Sequence, residues 1–360
     1  MTRKFRVVLL LAVFGTLAGC ALPFYWQAIG GQIELLRKRT PIETLLADPG
    51  LDRELKATLG AVAEIRKFAV DELLLPDNDS YRSYADLKRP YVVWNVVAAD
   101  EFSVDPKRWC FPFAGCVAYR GFFERSAAED FRARLQREGL DTYSGGSSAY
   151  STLGYFADPV LNTMIRGGEQ YVASLLFHEL AHQKLYVKSD SEFSEAFATT
   201  IEEYGTERWL RTHAATDALE LYHRRQRRGA EFAQLISAQQ ARLRGVFASA
   251  DPPDVKRAAK VSAYAALAAD YAALKARWGD ASSEYDAWFA QPLNNAALAA
   301  VATYTRWVPV LRSRLDVLGP EAFYAEMAEL AKLSVEERAA RLQALLDALS
   351  TAPGALPQAG

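Results

Sequence analysis

Five consecutive residues near the middle of this 360-residue chain combine the side chains that metal-dependent hydrolysis requires. His178 and His182 are four residues apart in the sequence His-Glu-Leu-Ala-His, and the surrounding residues favour a helix. Residues four apart lie on one face of a helix, so both imidazoles can point at the same metal ion. Glu179 follows the first histidine, which places its carboxylate beside that ion. The pattern predicts a catalytic zinc site, in which zinc lowers the pKa of water from about 15.7 to about 7 and Glu179 accepts the proton.

A catalytic zinc ion usually has three protein ligands and one open position, so a third ligand must lie elsewhere in the chain. The next helix is the best source, because Ser189 and Glu192 have the spacing of a capping box at its start. We expect Glu195, one turn deeper, to be the third ligand. Glu202 lies two turns further along the same face and is the alternative ligand. The pattern fixes only three of five positions and also occurs by chance, so this second helix is what favours a true site.

The same residues resemble known metallopeptidases. HELAH followed by Glu195-Ala-Phe-Ala-Thr199 is similar to the gluzincin arrangement, in which a second helix carries a Glu-x-x-Ala-Asp motif and its glutamate is the third ligand. Thr199 stands where that motif often has an aspartate that holds a ligand histidine. Nearly the whole chain resembles a family of bacterial proteins assigned as aminopeptidases and regarded as zinc lipoproteins. The matching stretches are 109–123, 154–164, the HELAH segment and 293–304.

The resemblance implies an aminopeptidase, and that activity requires a group that binds the free α-ammonium of a peptide. Glu202 is the candidate for this substrate-binding role, because it lies on the face of the helix that points at the metal. A tyrosine hydroxyl would stabilise the developing oxyanion, and the four candidates are Tyr119, Tyr186, Tyr204 and Tyr304. An endopeptidase or a peptidoglycan amidase would use the same zinc chemistry. A third alternative is a binding or assembly lipoprotein that keeps the scaffold with little turnover.

The amino terminus has the features of a secretory signal peptide. Residues 1–19 begin with basic residues and continue as an apolar run that is too short to span a bilayer. Leu17-Ala18-Gly19-Cys20 resembles a bacterial lipobox, which implies cleavage before Cys20 and lipidation of that residue. We expect a protein anchored to the bacterial cell envelope, facing the periplasm and attached to the outer membrane. The alternative is an uncleaved amino-terminal anchor.

Two cysteines remain if Cys20 is acylated. Cys110 and Cys116 are close in sequence, in a chain expected to reach an oxidising compartment, so we expect a disulfide between them. Two unpaired thiols are the alternative, because a short loop imposes strict geometry on a disulfide.

The charge of the chain excludes one class of partner. Three of its 42 basic residues lie in residues 1–19, so the mature chain carries 39 basic and 44 acidic residues and a net charge of −5. Nucleic-acid binding needs a basic surface, so nucleic acid is not expected as a partner. We expect a peptide substrate, and contact with a membrane through the lipid.

Hydrophobic periodicity predicts an α+β protein that is mainly helical. Strands are expected at residues 91–98, 116–123 and 149–156, and Gly145-Gly146 is expected in a loop. By resemblance to zincins the strand at 149–156 lies at the rim of the cleft; an ordinary buried strand is the alternative. The resemblance to gluzincins implies a zincin-like core of a small sheet plus the active-site helix. The predicted regions are a signal peptide (1–19), an amino-terminal helical region (20–90), the zincin-like catalytic core (91–205), a carboxy-terminal helical region (206–350) and a disordered tail (351–360).

Overall fold

The computed structural model describes residues 22–111, 115–188, 190–213, 216–279, 283–302 and 306–351. This part of the chain is a mainly helical α+β structure with twelve α-helices and three small sheets. The predicted signal peptide, the predicted lipidation site at Cys20 and all but the first residue of the predicted tail lie outside the described residues.

The elements follow one another in this order. They are α1 (Leu22–Lys38), β1 (Thr40–Pro41), α2 (Ile42–Ala47), α3 (Arg53–Asp71), β2 (Ser83–Ala85), β3 (Val93–Ala99), β4 (Trp109–Phe111), β5 (Gly115–Val117), β6 (Arg120–Phe122), α4 (Arg125–Arg137), β7 (Asp141–Ser147), β8 (Val160–Leu161), α5 (Glu169–Lys184), α6 (Ser191–His213), α7 (Thr216–Ala248), α8 (Pro253–Trp278), α9 (Asp286–Phe289), α10 (Asn295–Ala302), α11 (Val308–Ala331) and α12 (Val335–Thr351). One turn of 3₁₀ helix spans Ile165–Gly167.

The central sheet has the antiparallel order β6-β3-β7, and its two faces pack against different helices. Alternate residues of a strand point to opposite faces. Val96 and Ala98 on β3 pack against α4 through Phe131, in a cluster of buried side chains. Val97, on the other face, packs against alanines of α10. This second face is the one that forms the floor of the cleft described below.

The strand predictions have mixed outcomes. The prediction for residues 91–98 is confirmed by β3, with a shift of two residues at its start. The predicted strand 116–123 is two short strands, β5 and β6, which pair with different partners. The prediction of a strand at 149–156 is wrong, because these residues form a loop in which Leu153 and Gly154 have φ values of 56° and 81°. Left-handed backbone of this kind interrupts an extended strand.

The predicted glycine loop is in fact part of a strand. Gly145 and Gly146 lie in β7 and pair with β3 along its whole length. A Cβ atom on Gly146 would lie 2.2 Å from Cγ of Tyr91, so the ring of Tyr91 packs directly on the glycine backbone. Glycine within a strand marks such a close approach of a neighbouring group.

The largest group of buried side chains joins elements from both ends of the chain. It includes Leu35 of α1, Phe177 of α5 and Leu342 of α12. Helix α6 also runs without interruption across the predicted boundary between residues 205 and 206. The predicted regions therefore share one core, and the division itself stays a prediction.

Two local features support the elements around the site. Cys110 and Cys116, the predicted pair, are joined by a disulfide that connects β4 to β5. Asn294 and Asn295 at the start of α10 bind the sheet: the side-chain amide of Asn294 donates to the Thr142 carbonyl at 2.9 Å, and the backbone N–H of Asn295 donates to the Asp141 carboxylate at 2.9 Å.

None of the described helices is both long and apolar enough to cross a membrane.

Candidate metal centre

Helices α5 and α6 pack against each other and bring three predicted ligands together. His178 and His182 lie one turn apart on α5, and Glu195 lies in the second turn of α6. The two Nε2 atoms are 3.1 Å apart. Oε2 of Glu195 is 3.4 Å from Nε2 of His178 and 3.6 Å from Nε2 of His182. These three side chains form a group that could hold a metal ion.

The start of α6 sets the depth at which Glu195 enters the site. The backbone N–H of Phe193 donates to the Asp190 carboxylate at 3.1 Å, so Asp190 caps this helix. Ser189, the predicted first residue of the capping box, lies outside the described residues, and no hydrogen bond of the Glu192 side chain is described. Arg338 of α12 forms a buried ion pair with Asp190.

The back faces of α5 and α6 are buried, which fixes the two helices at short range. Phe177 on α5 and Phe197 on α6 are fully buried in the main core. Gly205 lies where α6 meets α5, and a Cβ atom there would lie 2.8 Å from Cδ2 of Phe177. A larger residue at this position would press on the side chains of Leu73 and Phe177 and disturb the packing of α6 against α5.

Glu202 has a different contact from the two predicted for it. Its Oε2 accepts a hydrogen bond from Nδ1 of His178 at 3.0 Å, on the opposite side of the imidazole from Glu195. An ionised carboxylate can only accept, so this hydrogen bond assigns a proton to Nδ1 of His178, and Nε2 is the nitrogen that faces Glu195 and would bind a metal ion. Glu202 is also not among the described residues that line the cleft. Its predicted role as the substrate's ammonium ligand stays a prediction that this contact does not support.

The contact between Glu202 and His178 compensates for Thr199, which replaces the aspartate of the gluzincin motif. The carboxylate that the gluzincin motif has four residues after the glutamate is supplied here seven residues after it, by Glu202. Both positions lie on the same face of α6 as Glu195, because four and seven residues correspond to one and two helical turns. Spacing alone placed Glu202 near the metal, but only the side-chain geometry distinguishes a ligand from a group that orients a ligand.

The charges in the site attract a cation. Burial opposes protonation of His178, but the carboxylates of Glu195 and Glu202 outweigh it and raise the pKa of His178 well above its usual range. Burial would raise the pKa of Glu195, but the two imidazoles hold it well below its usual range. Burial raises the pKa of Glu179, against the opposing effect of the two histidines. Strongly shifted pKa values of this kind cluster at functional sites.

A cleft of about 650 Å³ opens beside the three ligands. Glu179 lines it together with the ligands, and Asn95 is a polar side chain on its floor. Most of the other lining residues are apolar, aromatic or glycine; among them are Phe24, Ala28, Val93, Val97, Phe111, Val117, Phe123, Tyr143, Gly145, Gly146, Tyr150, Leu153 and Ala299. Concave apolar sites with a few converging polar groups are typical of substrate pockets.

Two of the four tyrosine candidates lie in this cleft. Tyr119 and Tyr186 line it, and the ring of Tyr186 lies 6.1 Å from the ring of His182. The hydroxyl of Tyr204 instead accepts a hydrogen bond from Nη1 of Arg208 at 3.3 Å, and Tyr204 is not among the described lining residues. Tyr304 lies outside the described residues.

Comparison with known proteins gives one match. The family model described as "Putative aminopeptidase" matches residues 23–342, which include every residue of the candidate site. Neither a curated protein nor a solved structure matches the chain.

The contact between Glu202 and His178 leads to a prediction about metal affinity. Glu195→Ala removes a ligand and should abolish binding. Glu202→Ala should weaken binding by about 10- to 100-fold, because carboxylates that orient a ligand histidine contribute on that scale. Zn²⁺ and Co²⁺ affinities, measured by competition with a chromophoric chelator, test this expectation.

Glu203→Ala is the matched control, since Glu203 is the neighbouring carboxylate on α6 and contacts neither histidine among the described interactions. It should bind metal as tightly as the wild type. Equal losses in Glu195→Ala and Glu202→Ala would instead make Glu202 a direct ligand.

Proposed function

The chain belongs to the "Putative aminopeptidase" family, and on that premise we propose that it is a zinc-dependent peptide hydrolase that acts at the amino end of its substrates. One observation carries the proposal. His178, His182 and Glu195 converge at one end of a large apolar cleft, and Glu179 lines the same cleft.

The three side chains fit zinc. Tetrahedral zinc holds nitrogen and oxygen ligands at about 2.0–2.1 Å, which places two ligand atoms about 3.3–3.4 Å apart. The three separations here are 3.1, 3.4 and 3.6 Å. Two histidines and a glutamate are also a ligand set of catalytic zinc sites, which keep a fourth position open.

The residues of the chain divide the catalytic work among them. Bound zinc supplies a Lewis acid that acidifies water and polarises a carbonyl group. Glu179 accepts the proton of the attacking water and then donates it to the leaving amine. Burial raises the pKa of Glu179, which brings it closer to the working pH and suits both steps. Glu202 holds His178 in the orientation and tautomer that the site requires.

Tyr186 is our candidate for the group that stabilises the oxyanion. It lines the cleft next to His182, and burial raises the pKa of its hydroxyl, with the charge of Glu195 adding to the effect. The hydroxyl therefore keeps its proton at neutral pH and can donate a hydrogen bond to a developing negative charge.

The rival function is a binding or assembly protein with little turnover, and it is favoured by Thr199, which stands where the gluzincin motif often has an acid. That argument is weakened by Glu202, which supplies the orienting carboxylate that Thr199 lacks. The peptidase is therefore the better-supported function.

We further propose that the protein is anchored to the cell envelope by a lipid on Cys20. The lipobox-like sequence ends two residues before the start of α1. The outer face of α1 carries Trp26, Ile29 and Ile33, with exposed fractions of 79%, 54% and 42%. Their spacing of three and four residues forms one apolar stripe. A stripe with tryptophan near its start is typical of a helix that lies at a membrane surface.

Replacement of the catalytic base tests the proposed chemistry. Glu179→Gln should bind zinc with unchanged affinity, because every ligand remains. Peptide hydrolysis should fall at least about 100-fold, since general base catalysis contributes on that scale. Glu203 is a half-buried carboxylate of α6 that is not among the described residues lining the cleft, so Glu203→Gln should leave both quantities unchanged. Near-normal hydrolysis by the Glu179→Gln enzyme would exclude the proposed base.

Variants of the two cleft tyrosines test which of them donates a hydrogen bond to the oxyanion and which only lines the cleft. Tyr186→Phe should lower kcat by about 100-fold with little change in KM, the loss expected when one donor is removed from an oxyanion. Tyr119→Phe should change kcat by less than about threefold. If the two variants exchange these effects, Tyr119 is the donor.

The anchoring proposal is tested with a non-acylated chain. A protein that starts at residue 20 and carries Cys20→Ser should bind vesicles of anionic and zwitterionic phospholipids. Adding Trp26→Ser, Ile29→Ser and Ile33→Ser should weaken this binding at least about tenfold, since each large apolar side chain contributes about 1.5–3 kcal/mol when buried. Val261→Ser with Val317→Ser is the control, because both valines are at least 70% exposed elsewhere. Equal binding by both variants, or an unmodified Cys20 in membranes of the native host, would contradict the proposal.

A further inference from the structure

The floor of the cleft carries two polar side chains on neighbouring strands. Asn95 lies on β3, the central strand of the sheet, and Tyr143 lies on β7. Asn95 pairs with Gly145, which comes two residues after Tyr143, so all three positions lie on the same face of the sheet. Both polar side chains line the cleft, as do the three metal ligands. A substrate in this cleft can therefore reach the metal centre and the two polar groups.

Glycine stands on both sides of Asn95. Its partners across the strand are Gly121 on β6 and Gly145 on β7. Neither glycine has a positive φ, so the backbone itself does not require glycine at these positions. A Cβ atom on Gly121 would lie 3.1 Å from Oδ1 of Asn95, and one on Gly145 would lie 3.4 Å from Cε1 of Tyr143. The amide and the ring thus lie over bare backbone, where larger residues would crowd them.

The two polar groups are neighbours without protein partners. Oδ1 of Asn95 is buried and accepts no hydrogen bond within the described part of the chain, where the hydroxyl of Tyr143 has none either. That hydroxyl lies 3.6 Å from the Cβ position of Gly145. Paired residues have Cα atoms about 4.5–5.5 Å apart, so the hydroxyl lies next to Asn95. Polar groups left unpaired in a buried site are unfavourable, so a ligand that pairs with both gains affinity.

The protonation of Tyr143 and the freedom of the Asn95 amide make the pair versatile. Burial raises the pKa of Tyr143, and Tyr91 adds to the effect, so the hydroxyl keeps its proton at neutral pH. No described partner fixes the orientation of the amide, so it can present its nitrogen or its oxygen to a ligand. A single hydroxyl can bridge the two groups, because it accepts a hydrogen bond from one and donates to the other.

The rest of the cleft limits what can carry that hydroxyl. Among the described lining residues, the charged side chains are those of the metal centre, so the floor offers no counter-ion to a charged side chain. Aromatic rings stand nearby, such as Phe123 and Tyr150, whose centroids are 5.1 Å apart. On the other face of the same sheet, the ring of Tyr91 packs directly on Gly146. Aromatic walls and bare glycine backbone both favour a planar ring.

We propose that Asn95 and Tyr143 form a subsite that selects peptides with a tyrosine side chain at the bond that is cleaved. This inference rests on the proposed peptidase function and adds the side chain of the substrate to it. The substrate's ring packs against the aromatic wall and the glycine backbone, and its hydroxyl bridges the amide and the hydroxyl of the floor. Phenylalanine in the same place would leave both polar groups unpaired.

Substrates that differ by one hydroxyl test the proposal. The zinc-loaded wild type should cleave the tripeptide Tyr-Ala-Ala at least about tenfold more efficiently than Phe-Ala-Ala, in terms of kcat/KM, because a site built for a hydroxyl discriminates against the analogue that lacks it. Asn95→Leu is similar in size and should abolish this preference with unchanged zinc affinity. Tyr143→Phe should reduce the preference in part, because one of the two hydrogen bonds remains.

Two further variants serve as controls and as a second test. Ser147→Ala should keep the preference, because Ser147 lines the cleft on the same face of the sheet but its hydroxyl already donates to the Ala149 carbonyl at 2.8 Å. Gly121→Ala should reduce the preference without removing any polar group, because its methyl group would press on Oδ1 of Asn95. Gly30→Ala, where a Cβ atom meets nothing within 4 Å, should keep it.

A binding measurement is independent of turnover. In calorimetry, tyrosinamide should bind the zinc-loaded Glu179→Gln protein at least about tenfold more tightly than phenylalaninamide. In the Glu179→Gln/Asn95→Leu protein the two probes should bind equally.

The outcomes separate the subsite from the proposed function. Equal cleavage of the two peptides by the wild type, or an undiminished preference in the Asn95→Leu enzyme, overturns the subsite and leaves the peptidase intact. A preference for glutamine over tyrosine would assign the floor to a carboxamide and overturn it as well. If the zinc-loaded wild type cleaves no peptide but the Glu179→Gln protein still binds tyrosinamide more tightly than phenylalaninamide, the proposed function fails and the binding site for tyrosine stands.

Discussion

The contact between α5 and α6 is the constraint on which the rest of the molecule depends. Two of the candidate ligand atoms belong to one helix and one to the other, and their separations of 3.1–3.6 Å leave little tolerance for movement if they are to bind one metal ion. Ligands on rigid helices hold such a geometry better than ligands on loops. The buried back faces, where Phe177 packs close to Gly205, supply that rigidity. The packing of the helices fixes where His178 lies, and its hydrogen bond to Glu202 fixes the orientation of the imidazole ring.

The carboxy-terminal helices contribute to the site from a distance. Arg338 is 2% exposed, and it donates to the carbonyl of Leu330 near the end of α11 and to Asp190 at the start of α6. One buried cation thus connects α11 and α12 to the turn that determines the depth of Glu195. A buried ion pair adds little net stability compared with an apolar contact, but it tolerates only one arrangement of its partners. The interaction therefore specifies where α6 begins more than it stabilises the fold.

How much the sequence can predict depends on how local each feature is. The pairing of His178 with His182 follows from helical periodicity alone, and the choice of Glu195 needed only a second helix with a recognisable face. The partner of Glu202 was not predictable, because it depends on which imidazole nitrogen it meets across the interface. Gly145 and Gly146 were misassigned to a loop for a similar reason, since the ring of Tyr91 that packs on Gly146 comes from a distant part of the chain. Glu192 was assigned to a capping box because spacing cannot show that Asp190 already performs that task.

Helix α1 lies between the proposed membrane anchor and the cleft at the candidate metal centre. Phe24 and Ala28 on its inner side line the cleft, while Trp26 and Ile29 on its outer side are exposed. A helix with its side chains is about 10–12 Å across. If lipid covers the outer stripe, the cleft wall is one helix away from the membrane surface. A lipid on Cys20 would then do more than retain the enzyme in the envelope: it would fix the distance between the active site and the bilayer. Peptides that reach the envelope surface, as well as those that diffuse freely, would then fall within reach of the site.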